Sequence, residues 1–198
     1  MESSFYKKAI VLCIISVSLQ LLSNGLIFFP ELNIFSFQNT KVMSVIAGFA
    51  FALHSYYFGT FLKSKNWRLI ANLTYIIGGL FLVLKILEYF ISSNQSLFGL
   101  LALLSIAHLI FMIIYPLSIL ALGNKLTFHL KRFAIVNLLV ICVQLLIYIT
   151  PFIYPIRIYL LPEIIVLIGT LTGLLVIPIY KEDQGIISTK HEDVLDFE

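Results

Sequence analysis

Long apolar runs separated by short charged connectors make up most of this chain, without the two-residue alternation of half-buried strands. No formal charge falls in residues 9–30, 42–62, 69–84, 89–124, 133–156 or 164–180. A helix needs about 20 mostly apolar residues to cross a hydrocarbon core. The gaps therefore predict six crossings, over residues 8–29, 42–62, 67–91, 97–122, 132–154 and 158–180. Helices bond all their backbone polar groups internally, as a lipid environment demands. A β-barrel would need strict alternation, and these runs are apolar on both parities. The expected fold class is all-α, a polytopic membrane helical bundle with six transmembrane helices. Residues 1–180 form the six-helix domain and residues 181–198 an acidic cytoplasmic tail.

The cations set the expected orientation. With six crossings, one set of segments holds Lys7, Lys8, Lys63, Lys65, Arg68, Lys125, Lys131, Arg132, Lys181 and Lys190, and the opposite set holds only Lys41 and Arg157. Positively charged loops stay in the cytoplasm, so both termini are expected there. Lys7 and Lys8 before an apolar run imitate a signal peptide, but the run continues too far and lacks a small-residue exit, so it reads as a first crossing. Trp67, Tyr6, Tyr89, Tyr154 and Tyr180 fall near predicted helix ends, where an interfacial aromatic belt is expected.

Composition agrees with this threading. Of 198 residues, 60% are hydrophobic and only 12% charged, too few charges to cover a water-facing surface of that size. A soluble enzyme, a disordered chain and a disulfide scaffold are excluded. The net charge of +3 comes from membrane-flanking lysines rather than a nucleic-acid footprint. Expected partners are the lipid bilayer and a membrane-protein partner or a second copy, with no nucleic acid. Short loops and an Ile-, Lys- and Asn-rich composition point to a bacterial inner membrane. Cys13 and Cys142 lie inside crossings with no C-x-x-C spacing and read as small apolar filler.

Polar side chains within the crossings are the candidate chemistry, because ionisable groups at depth are costly unless partnered or used. Lys85 and Glu88 share a face of the third crossing, with Thr74, Gly78 and Phe81 continuing it. Glu163, Asn24 and Tyr148 reach a similar outer depth, so Lys85, Glu88, Glu163, Asn24 and Tyr148 make a candidate ligand-binding pocket in the outer half of the membrane. Contact between Lys85 and Glu163 requires the third and sixth helices to pack together. The plainer reading is a self-neutralising Lys85–Glu88 pair with Glu163 reaching the interface. His54 and His108 share a depth near mid-membrane, which suits a haem b or metal site, a proton relay or core packing. No cofactor is expected as the primary reading. Polar or small stripes on the first helix (Cys13, Ser16, Gln20, Ser23, Asn24) and the fifth (Asn137, Gln144, Tyr148) are expected to face the bundle interior.

Linear motifs for nucleotide binding, zinc proteolysis and serine hydrolysis are absent. Ala107-His108, Leu122-Gly123, Leu161-Pro162-Glu163 and Ile168-Gly169 together resemble an uncharacterised family of bacterial six-span membrane proteins, domain of unknown function 4386. That resemblance implies a fold and a location, and no activity. Three functions are expected in order: a small transporter or ligand-binding bundle, an accessory subunit of a membrane complex, and an intramembrane enzyme or haem or metal protein using His54 and His108.

Overall fold

The computed structural model describes residues 3–28, 37–91, 97–123, 127–153 and 161–185, with side chains for residues 3–25, 40–91, 97–123, 127–146 and 166–185. Among these every element is helical: α1 (Ser3–Phe28), α2 (Phe37–Ser64), α3 (Arg68–Ile91), α4 (Phe98–Leu120), α5 (Phe128–Ile153), α6 (Leu161–Leu171), a 3-10 turn (Thr172–Leu175) and α7 (Val176–Asp183). Segments of α1 to α5 are long and apolar enough to cross a membrane. Their apolar side chains face outward as well as inward; Leu103, Ile106 and Leu146 are each more than three-fifths exposed, a surface suited to lipid tails.

Local signals explain where the rods end. At the close of α2, Asn66 takes a left-handed φ of 65°, tolerated by asparagine better than by most residues. The Trp67 amide donates to the Leu62 carbonyl and the Asn66 amide to the Lys63 carbonyl, the paired bonds of a Schellman stop. α3 starts at once, so the two helices run antiparallel. At the start of α5 the Thr127 hydroxyl accepts the Leu130 amide at 3.4 Å, an N-cap. Pro116 lies within α4 without interrupting it and is fully buried.

Each rod packs against its sequence neighbours, and α1 closes the circle against α6, the 3-10 turn and α7. The result is a ring of six rods, the last being α6 to α7. The α2–α3 seam is the tightest: a Cβ at Gly59 would fall 2.4 Å from the Tyr75 ring, and one at Gly78 2.5 Å from the Ser55 Cβ. Ring closure uses the α1 stripe. The Cys13 thiol donates to the Gly173 carbonyl at 3.3 Å, and the Asn24 amide donates to the Thr170 hydroxyl at 3.3 Å.

Three features differ from the sequence expectation. The stretch expected as the sixth crossing is broken at residues 172–175, where the Thr172 hydroxyl donates to the Gly169 carbonyl at 2.6 Å and Pro178 has no amide for the Leu174 carbonyl. Helix α7 runs on through Asp183, so residues 181–183 belong to the bundle rather than the tail; residues 186–198 lie outside the described residues. Tyr6 and Tyr180, expected in an interfacial belt, are 5% and 0% exposed. They belong to the core because the helix ends converge there.

That core fills only one end of the ring. Tyr6, Phe58, Phe61, Tyr115, Phe133 and Tyr180 all belong to one buried cluster. The Tyr180 ring meets Phe61 edge-on at 5.3 Å and Phe58 at 5.9 Å, and Phe58 meets Phe133 at 5.8 Å. This aromatic plug lies at the end where Lys7, Lys8, Lys63, Lys65 and Arg68 gather. An ion pair straps it: Asp183 of α7 takes both the Lys65 ammonium and the Tyr6 hydroxyl, joining α1, the turn after α2 and α7.

Candidate ligand-binding cavity

Beyond the plug the rods surround a cavity of about 300 Å³, walled by residues of all six. Thr74 and Lys85 both line it, and their separation of eleven positions along α3 corresponds to a depth of about 16 Å. Its floor is the upper face of the plug, made by Phe58, Tyr115 and Phe133. The middle tier carries Ser16, His54, His108, Asn137 and Thr172, and the tier furthest from the lysine-rich end carries Gln20, Asn24, Lys85, Gln144 and Thr170. Phe51, Ile77, Phe81 and Met112 supply apolar wall between them. Polar groups set singly into an apolar wall are the usual constitution of a small-molecule site.

Much of the wall is satisfied internally. Gln20 donates to Ser16 at 3.1 Å, the single Thr172 hydroxyl proton is shared between the Gly169 carbonyl and the Asn137 side-chain oxygen at 3.1 Å, and Asn137 donates to the Phe133 carbonyl at 2.9 Å. The Thr74 hydroxyl donates to the Ile70 carbonyl at 2.8 Å and lies 3.3 Å from the Tyr115 hydroxyl, anchoring the floor. The histidines differ. His54 is 5% exposed and stacked parallel to Phe58, and its Nδ1 has no hydrogen-bond partner among the described residues. His108 leans on the Phe81 ring at 5.9 Å, and its buried Nε2 is likewise unpartnered. A buried polar atom without a partner costs about 1–3 kcal/mol, and both of these nitrogens belong to residues that line the cavity.

The sequence candidates are redistributed by the ring. Lys85 and Asn24 line the same tier of the cavity. The Lys85 ammonium donates to Glu88 at 2.8 Å and lies 5.4 Å over the Phe81 ring; Glu88 is 46% exposed and outside the lining. Among the described residues α3 packs on α2 and α4 while α6 packs on α1 and α5, so the third and sixth helices do not share a seam there. The cavity lies between them. Tyr148 falls in α5 and Glu163 in α6, and their side chains lie outside the described residues. His54 and His108, which the sequence placed in a separate constellation, share the cavity with Lys85. Among the described residues no hydrogen bond joins the two imidazoles, and no group of three His, Cys, Asp or Glu converges on one point.

Gln144, Thr170, Thr172, Phe51 and Met112 are lining residues that the sequence did not single out as a site. The spacing of Asn137 and Gln144, two turns apart on α5, already carried a signal for that wall. No protein-family model, no curated protein and no solved structure matches this chain.

Proposed function

We propose that this chain is a multi-pass protein of a bacterial inner membrane, with cytoplasmic termini, that binds a small solute for transport or sensing in the cavity at the centre of its ring. The solute enters from the non-cytoplasmic side. One observation carries the reading: a cavity of about 300 Å³ closed at the lysine-rich end by the aromatic cluster and lined by His54, His108 and Lys85. The ten-to-two cation asymmetry supports placing that end in the cytoplasm. The cavity volume is at the lower end for small-molecule sites, about 300–1,000 Å³, which favours a compact solute over a haem.

Thiol labelling tests this on intact cells. In a background with Cys13→Ala and Cys142→Ser, Gln144→Cys is expected to react with a charged, membrane-impermeant methanethiosulfonate. Asn94→Cys serves as the external control, and Lys65→Cys is expected to react only after permeabilisation. A Gln144→Cys that reacts only in permeabilised cells would reverse the direction of entry. One that never reacts would remove the open cavity.

A further inference from the structure

The charge of the lining is asymmetric. Among the described residues, Lys85 is the one Lys or Arg on the cavity wall, and no Asp or Glu lines it. Its partner Glu88 faces outward from the wall, with nearly half its side chain exposed, whereas the Lys85 side chain is 18% exposed. An ammonium has three donors. One is taken by Glu88, which leaves others for a guest. A cation entering this space would lose water and meet no counter-charge on the described wall, a costly outcome in a low-dielectric site. A carboxylate would meet an ammonium, with the Asn24 and Gln144 amides on the same tier.

Below that tier apolar side chains alternate with the polar groups of the middle tier. Phe51, Ile77, Phe81, Met112 and Ile141 line the space down to the plug. A depth of about 16 Å accepts an extended alkyl chain of around eight carbons, at roughly 1.3 Å per methylene in addition to its head group. His54 and His108, midway, offer bonds to water or to a polar substituent on that chain.

We propose that the guest is an amphipathic monoanion, an alkyl or aryl carboxylate whose head pairs with Lys85 and whose apolar body fills the space above the plug. This assignment of ligand class rests on the proposed cavity function. The geometry that carries it is a single cation at the upper tier of a cavity whose other described lining residues are apolar or carry no formal charge, with no lining carboxylate among them.

The test uses Val140→Cys, a lining position beside the apolar body, in the full chain with Cys13→Ala and Cys142→Ser, held in phosphatidylcholine nanodiscs so that no anionic lipid competes. Octanoate, octanol and octylamine share a chain and differ in the head. Octanoate is expected to slow thiol modification about tenfold more than octanol does, the effect of one charge-assisted hydrogen bond. Octylamine is expected to protect least. Lys85→Met should bring octanoate down to the level of octanol, and Lys85→Arg should keep the preference. Equal protection by octanoate and octanol, or stronger protection by octylamine, overturns the carboxylate assignment while leaving a solute cavity in place. A Val140→Cys that reacts but is protected by none of the three overturns the assignment as well. A Val140→Cys that does not react at all removes the open cavity and the proposed function with it. If Lys85→Met does not fold, the ranking of the three heads on the chain with its native Lys85 still decides.

Discussion

Two adjacent glycines show how much a single methyl group weighs in this protein. Gly78 faces α2, where an added Cβ would lie 2.5 Å from the Ser55 Cβ and 3.4 Å from the Ala52 backbone. Gly79 faces away and has nothing within 4 Å. The same substitution should therefore act in opposite directions. Gly78→Ala must push α2 and α3 apart along their tightest seam, at a cost of about 1–3 kcal/mol. Gly79→Ala meets open space and gains roughly 1 kcal/mol of helix propensity. Thermal unfolding in detergent should show Gly78→Ala melting below the unsubstituted protein and Gly79→Ala at or above it. The dipeptide reads as one small-residue patch in sequence; which of the two touches a neighbour depends on how α3 is rotated against α2.

Among the elements, α7 is held most specifically. Burial raises the Asp183 carboxyl, but the hydrogen bonds from Lys65 and Tyr6 more than offset it and leave the group below its ordinary value. A carboxyl whose folded pKa is depressed stabilises the fold above its unfolded value, near 4, and loses that contribution as pH falls through the folded value. Lys65→Met should thus lower stability at pH 7 by about 1 kcal/mol at most, since the Lys65 side chain is 39% exposed and partly screened. The difference between Lys65→Met and the unsubstituted protein should shrink as pH drops below about 4, measured by thermal unfolding across pH. This strap was not legible in the sequence. Lys65, Tyr6 and Asp183 belong to three separate stretches, and Asp183 read as part of a solvated tail until α7 carried it back to the plug.

For the whole molecule the decisive feature is asymmetry along the ring axis, with aromatic packing at one end and a lined space at the other. Tyr180 is the centre of the closed end, with no exposed surface and edge-on contacts to Tyr6, Phe58 and Phe61. Tyr180→Ala should cost about 3–5 kcal/mol, as for large aromatic truncations in packed cores. It should also open the floor. In inside-out vesicles, Gln144→Cys combined with Tyr180→Ala should react with an impermeant thiol reagent, and Gln144→Cys alone should not. Equal reactivity with and without Tyr180 would mean that the aromatic cluster does not seal the cavity.

Hydrophobic patterning alone determined that this chain is helical and where its long rods lie, because a charge-free run of about 20 residues has few alternatives in lipid. It also determined that the polar stripe of α1 turns inward: Cys13, Ser16 and Ser23 are each at most 2% exposed. Patterning did not say which rods touch. The expected approach of the third helix to the sixth failed because the rods close into a ring, where those two face each other across a space instead of across a contact. Depth along each helix is readable from residue count, since every residue adds the same rise. Azimuth around the bundle is not, because it depends on which neighbour each face meets. Hence His54, His108 and Lys85 had calculable depths in the sequence, and only the tertiary structure put them on the wall of one cavity.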